Sequence, residues 1–217
     1  MAQPRARGRV VVCFDLDCFY AQVCEVEDPS LKNRPVAVRQ KYIVVTCNYA
    51  ARRRGVTKLG SLEKAKRLVP DLVVVDGSDL TRFRAASQKI NQLWRSFGCP
   101  LERLGMDESF LDVSSIVDDL DAPNFEGHVY GDIAKEEDMS IVHKLAAASR
   151  FCAEARQRLK EELGYTCCAG ISTGKIGAKL AAEMNKPNMQ TTILPSAFRG
   201  LLDSTPLRNI QGVGRAM

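Results

Sequence analysis

The sequence predicts an α+β fold, a mixed or antiparallel sheet layered with helices and related to the ferredoxin-like pattern. Three observations predict it. Apolar runs of strand length, such as "RVVVCF", "DLVVVD" and "YTCCAGIS", recur along the chain. Between them lie segments whose apolar residues fall at helical spacing. In the middle, "LERLGMDESFLDVS" reads as two strands meeting at a tight "GMDE" connection, a hairpin set among interleaved strands and helices.

The elements follow in order. "RVVVCFDLD" is a strand, and "CFYAQVCEVED" after it is a helix with Phe19, Val23 and Val26 on one face, ending near Pro29. "RPVAVRQ" and "KYIVVTCN" alternate like a strand pair. "YAARRRG" starts a helical turn closed by Gly55, and "SLEKAKRLVP" is a short helix with Ser61 as N-cap, stopped by Pro70. "DLVVVDG" is a buried strand. "DLTRFRAASQKINQLWRSFG" is a longer amphipathic helix with Phe83, Ile90, Leu93, Trp94 and Phe97 toward the core. The central hairpin and an irregular acidic insertion come next. A long helix "IVHKLAAASRFCAEARQRLKEELG", a strand "YTCCAGIS", a helix "KIGAKLAAEM" and a last strand "QTTILP" complete the pattern.

Composition bounds the function. A chain of 217 residues, 45% hydrophobic with 15 Gly and 9 Pro, has enough apolar material for a sizeable core and is neither disordered nor fibrous. Its apolar runs fall short of a membrane span, and "MAQPRARGRV" has no apolar signal core, which together predict an intracellular protein with no membrane partner. The eight cysteines form no CxxC pair and sit in apolar stretches, as reduced packing residues do. Net charge is +5 and unevenly spread: +6 over residues 1–60, +3 over 61–99, −10 over 100–140 and +6 over 141–217. Basic flanks around an acidic middle fit a protein that holds a polyanion and gathers carboxylates at one place. For 118–138 a solvated acidic loop is the simpler reading.

Asp15 and Asp17 close the first strand, two residues apart, where they share a face unless the turn into the helix separates them. Asp107 and Glu108 are adjacent at the hairpin tip. If their elements are neighbouring central strands, Asp15, Asp107 and Glu108 converge at one sheet edge, where they repel unless a cation neutralises them. Hard oxygen donors without a well-placed His or Cys favour Mg²⁺ or Mn²⁺, and two such ions suit in-line phosphoryl transfer. Asp17 and Asp112, each taken alone, read as strand-end caps or ion-pair partners. "NYAARRRG" places Tyr49 and Arg52 one helical turn apart, a phenol and a guanidinium suited to a triphosphate, with Arg53 and Arg54 on a solvated face. "NKPN" places Lys186 where a compact cation can reach the same phosphates. "ISTGKIGAKL" lacks the spacing of a phosphate loop.

Five stretches in this order, "VCFDLDCFYAQVCEV", "VTCNYAARRRGV", "RLGMDESFLDV", "CAGISTGKIGAKLAAEMNKPNMQT" and "LRNIQGVG", resemble a Y-family translesion DNA polymerase over nearly the whole chain. The resemblance implies a truncated catalytic core. Residues 1–18 and 80–196 would form a ferredoxin-like palm, 19–79 a small α/β fingers subdomain and 197–217 the start of a thumb. It implies Asp15, Asp107, Glu108 and the Leu16 carbonyl as ligands of two Mg²⁺ or Mn²⁺ ions, with Asp107 and Glu108 catalytic. Tyr20 would be the steric gate against a 2′-hydroxyl. Backbone N–H groups of Cys18, Phe19 and Tyr20, with Tyr49, Arg52 and Lys186, would hold the nucleotide phosphates. Gln40, Lys41, Ile43 and Val45 would line the nascent base pair.

Within the family, "RQKYIVVTCNY", "DLTRFR", "ERLGMDESF" and "GHVYGD" are closest to one member, whose narrow pocket favours Hoogsteen pairing of a template purine turned to syn. Gly105 departs from the Ser that many members carry there. The implied partners are primer-template DNA and a dNTP, in damage bypass and repair in the nucleus. Contacts to the sliding clamp, ubiquitin and the Rev1 scaffold are expected only through segments this sequence lacks. Two rival readings are a palm-fold cyclase or other two-metal enzyme on free nucleotides, and a noncatalytic nucleic-acid-binding fragment.

Overall fold

The computed structural model describes residues 8–118, 120, 122–133 and 138–213. The end of the expected thumb segment and parts of the acidic stretch lie outside them. The fold is α+β, with two mixed sheets. The large sheet is built from β1 (Val11–Leu16), β6 (Leu101–Leu104), β7 (Glu108–Asp112), β8 (His128–Tyr130), β9 (Cys167–Ser172) and β10 (Gln190–Ile193), in the order β6-β7-β1-β9-β10-β8. Within it, β6, β7, β1 and β9 are antiparallel neighbours. With α4 (Thr81–Arg95) between β1 and β6, and the short α5 (Ser114–Val117) and the long α6 (Met139–Leu163) between β7 and β9, they form the ferredoxin-like core. To this β10 and β8 are added in parallel.

Strand alternation divides the interior into two layers. Val10, Val12, Phe14 and Leu16 face the main core with Leu111, Cys167, Ala169 and Ile171, under α4 and α6. There Phe14 stacks on Trp94 at 4.3 Å between ring centroids. Val11, Cys13 and Phe110 face the other way, against Ala178 and Ala182 of α7 (Lys175–Met184). That contact is unusually close. A Cβ on Gly170 of β9 would stand 1.9 Å from the Ala178 carbonyl oxygen and 2.3 Å from the Ala182 nitrogen, so the helix backbone rests directly on the strand. Asp15 and Glu108 are two residues beyond Cys13 and before Phe110, and both therefore lie on the α7 face.

The small sheet, in the order β4-β3-β2-β5, comprises β2 (Val36–Gln40), β3 (Ile43–Cys47), β4 (Gly60–Ser61) and β5 (Val73–Asp76). Ala37, Val44 and Cys47 cover a second core with α2 (Tyr49–Arg53) and α3 (Leu62–Leu68), where Ser61 caps α3 by accepting from the Lys64 N–H. Val36 and Val38 point to the opposite face and join the main core, as does α1 (Phe19–Glu27) through Phe19, Ala21 and Val23. The small sheet is thus welded to the large one.

Two expectations change. "DLVVVDG" is not a buried strand: β5 pairs only with β2, at the edge of the small sheet, and is half-buried. The acidic insertion is not wholly irregular, because β8 pairs in parallel with β10. It is held there as Gln190 donates to the Glu126 carbonyl and the Glu126 N–H donates to Ser149 Oγ. Its three exposed residues carry no alternation to read. Of the eight cysteines, all are free and seven are buried, as packing residues should be. No helix among the described residues is long and apolar enough to cross a membrane.

Replacing Gly170 by Ala is expected to destabilise the fold by about 3 kcal/mol, because the added methyl meets backbone that cannot rotate away. Urea unfolding of Gly170→Ala against the parent measures it; an unchanged midpoint would contradict the close packing of α7.

Candidate active site

β1 and β7 are hydrogen-bonded neighbours with Asp15 opposite Glu108. The hairpin turn 105–107 carries Asp107 beside them, and its backbone is tied in where the Leu16 N–H donates to the Asp107 carbonyl at 2.9 Å. Gly105 begins this turn at φ 71°, a left-handed conformation that suits glycine. From behind, Ser87 of α4 donates to the Met106 carbonyl at 2.7 Å, and Arg103 donates to Ser87 Oγ at 3.1 Å. The turn is therefore braced against a fully buried hydroxyl.

The three expected carboxylates do converge at one end of the large sheet, but not as an equal set. Asp15, Glu108 and Glu183 offer oxygens within 4.8 Å of one another. Asp107 stands outside that group on the solvent side of the turn. Partial enclosure, then the charges of Asp15 and Glu108, raise its carboxyl above the ordinary value, although the residue keeps an exposed face. A donor set of hard carboxylate oxygens fits Mg²⁺ or Mn²⁺.

Two ammonium groups occupy this end of the sheet. Lys179 donates to Asp15 Oδ2 at 2.6 Å, Glu108 Oε1 at 2.9 Å and Glu183 Oε1 at 2.7 Å. Lys186 donates to Asp15 Oδ1 at 2.7 Å and lies 3.2 Å from Glu183 Oε2. Burial opposes both charges, yet the surrounding carboxylates hold both lysines above their usual pKa. Sequence reasoning selected Lys186 and missed Lys179 and Glu183. Part of their signal was present: residues 179 and 183 stand at i and i+4, one turn apart on α7, and Lys186 follows just beyond the helix end.

Asp17 parts from Asp15 after the strand ends. Its carboxylate accepts from Thr166 Oγ1 and the Asn188 N–H, both at 2.9 Å, and from the Tyr49 hydroxyl at 3.4 Å. It is a buried hydrogen-bond hub that fixes the turn after Lys186 to the end of β1. Arg156 of α6, also missed, braces the same turn by donating to Asn188 Oδ1 at 2.8 Å and to the Cys167 carbonyl at 3.0 Å. Asp112 pairs with Arg9 at 2.8 Å, and Arg54 with Asp71, outside the site.

Cys18 stands between β1 and α1 in the left-handed region, φ 36° and ψ 50°. It turns the chain into α1, whose first N–H groups, at Phe19 and Tyr20, have no intrahelical acceptor, as at any helix start. Tyr20 stacks on Phe83 at 4.2 Å, which fixes its ring beside the carboxylates. On α2 the Arg52 guanidinium lies 4.8 Å over the Tyr49 ring and donates to the Cys47 carbonyl at 3.0 Å. Asn48 caps that helix by accepting from the Ala51 N–H, with its amide donating to Glu25 and the Arg34 carbonyl. Gln40, Lys41, Ile43 and Val45 lie on or beside the β2–β3 hairpin. Gln40 donates to the Gly77 carbonyl at 2.8 Å, Val45 packs on the main core, and Lys41 and Ile43 are exposed.

Residues 14–183 match the impB/mucB/samB family. The chain belongs to that family. This bears out the Y-family resemblance carried by the five stretches of sequence. Among relatives in the family, DNA polymerase iota of Homo sapiens is 42% identical over 222 residues, covering 97% of this chain and 30% of the relative. DNA polymerase iota of Drosophila melanogaster is 38% identical over 226 residues, covering 99% and 31%. DNA polymerase eta of the same fly is 30% identical over 259 residues, covering 95% and 29%. The chain thus spans about a third of the length of these relatives.

Two outcomes are expected. Asp17→Asn places an amide against the donors of Thr166, Asn188, Tyr49 and the Cys168 thiol, the last at 3.5 Å, and should cost about 2 kcal/mol in urea unfolding; a neutral result would contradict the hub. Burial pushes Cys18 and Cys168 up to about 12. Iodoacetamide at pH 7.5 should therefore spare both in the native protein, their thiolate fraction being lower by about a thousandfold, and label them in urea.

Proposed function

We propose that this chain is the catalytic part of a Y-family, iota-like DNA-directed DNA polymerase that inserts nucleotides with low fidelity during damage bypass. The observation that supports the proposal is the pairing of Asp15 with Glu108 at one end of the large sheet, with Asp107 on the turn beside them and Lys186 bonded to Asp15. Two Mg²⁺ or Mn²⁺ ions, when bound, would neutralise the attacking and leaving oxygens of an in-line phosphoryl transfer. Asp15, Asp107, Glu108 and the Leu16 carbonyl would hold them. Tyr49, Arg52 and Lys186 would bind the β and γ phosphates, with the N–H groups of Cys18 and of Phe19 and Tyr20 at the start of α1 completing the cradle.

Tyr20 would exclude ribonucleotides by bulk, since its stack on Phe83 leaves the ring no room to retreat from a 2′-hydroxyl. Gln40, Lys41, Ile43 and Val45 would shape the nascent base pair. The large sheet would serve as palm (1–18 and 80–196), the small sheet with α1 as fingers (19–79) and 197–217 as the start of a thumb. Primer-template DNA and dNTP are the ligands of this part, in the nucleus. The sliding clamp, ubiquitin and the Rev1 scaffold would meet parts of the longer relatives that this chain does not span. The higher identity to iota than to eta from the same fly favours the iota-like over an eta- or kappa-like reading.

One observation favours a noncatalytic nucleic-acid-binding fragment instead: Asp15 is already neutralised by two lysines. Single-turnover insertion of one nucleotide, with the chain in excess over primed template, separates the two. Insertion should occur in Mg²⁺ and Mn²⁺, accurate opposite template A and inaccurate opposite template T. Glu108→Gln should slow it by about a thousandfold. Tyr20→Ala should admit ribonucleotides. No insertion by the parent at high DNA concentration would overturn the catalytic reading of this chain, and equal activity in Glu108→Gln would overturn the site.

A further inference from the structure

We propose that Lys179 is the resident counter-cation of the carboxylate cleft, competing with a divalent ion for Asp15 and Glu108, and that Glu183 is the carboxylate that retains it when an ion enters. The inference rests on the reading of these carboxylates as ion ligands and adds to it a residue that sets how tightly ions are held.

The geometry is specific. An ammonium has three N–H donors, and Lys179 gives one to each of Asp15, Glu108 and Glu183 at 2.6–2.9 Å. These are the same three side chains whose oxygens approach one another within 4.8 Å. The Nζ therefore stands at the centre of the oxygens that a hard cation would draw together. An ion at about 2.1 Å from its oxygens cannot share that space with a like charge.

The three carboxylates differ in what they can do when the ammonium leaves. Asp15 and Glu108 are on paired strands of the large sheet, and Asp15 is only 5% exposed. Glu183 lies one turn along α7 from Lys179, with a side chain half open to solvent. Rotation about the Lys179 side chain can break its bonds to the strands while keeping the bond to Glu183, with no movement of the helix backbone. Lys186 reaches the same Glu183 from the other side. One exposed carboxylate thus serves both lysines, freeing Lys186 from Asp15 at the same time. The main-chain brace at Gly170 holds α7 in place throughout.

Mn²⁺ binding to the full chain, without DNA or nucleotide, tests this directly, with free Mn²⁺ read by its electron paramagnetic resonance signal. Lys179→Met should bind Mn²⁺ about tenfold more tightly than the parent, because the competitor is gone. Lys179→Arg, which keeps the charge, should stay near the parent. Glu183→Gln should bind more weakly, since the lysines then hold to Asp15, and Asp15→Asn should abolish the site. Unchanged or weaker binding by Lys179→Met, or equal tightening by Lys179→Arg, overturns the role given to Lys179.

A second measurement needs only the parent fold: the ¹³Cε resonance of Lys179, assigned by its loss in Lys179→Arg, should shift on adding Mg²⁺. A static resonance while Mg²⁺ binds overturns the proposal even if Lys179→Met does not fold. Failure of the underlying reading is distinct. In that case neither the parent nor Lys179→Met shows any binding that depends on Asp15.

Discussion

Asp15 sits almost fully buried at the end of the central strand of the large sheet, and both of its oxygens are held by ammonium groups, Lys179 at 2.6 Å and Lys186 at 2.7 Å. A carboxylate taken from water without a partner carries a penalty of several kcal/mol, so the strand can end in acid only if cations are delivered to it. Delivery depends on α7. The helix brings Lys179 to the strand because its underside is small, with Gly177, Ala178, Ala181 and Ala182 against β9, and because Gly170 removes the side chain that would hold it off. A larger residue at these places would displace the lysine along with the helix.

The same face logic organises the rest. Alternation along β1 puts Phe14 into the aromatic core with Trp94 and leaves Asp15 toward α7, so one strand serves a hydrophobic layer and a charged one. Where the strand ends, the alternation ends with it. Cys18 turns the chain, Asp17 is drawn to Thr166 and Asn188, and Tyr20 is laid on Phe83. The Tyr49 hydroxyl meets Asp17 across the junction between the two sheets. Of the groups proposed to hold phosphate, Tyr49 and Lys186 are therefore anchored at one strand end, through Asp17 and Asp15, and Arg52 is held over the Tyr49 ring.

Much of this was legible in the sequence. The strand-length apolar run of "VVVCF", the helical period of residues 81–95, the Ser61 cap and the turn at "GMDE" each state a local rule that the fold obeys. The pairing of Asp15 with Glu108 followed once the first strand and the hairpin were taken as neighbours. The strand at 128–130 was not legible, because three exposed residues in an acidic stretch have no pattern; they pair only because Gln190 and Ser149 anchor the segment beside β10. The separation of Asp17 from Asp15 was left open for a like reason. Spacing says which face a residue takes while a strand continues, and β1 stops between them at Leu16.

By itself, the sequence determined the α+β class, the order of most of the elements, the acidic and basic residues available to the site, and the family to which the chain belongs. These depend on local periodicity and on motifs whose parts lie close along the chain. Only the tertiary structure decided which charges meet. Lys179, Glu183 and Arg156 look like ordinary solvated positions on their helices until the helices are docked. Once Gly170 lets α7 touch the sheet, two of them join Asp15 and Glu108 in one cluster, since Coulomb attraction depends on distance through space and not along the chain.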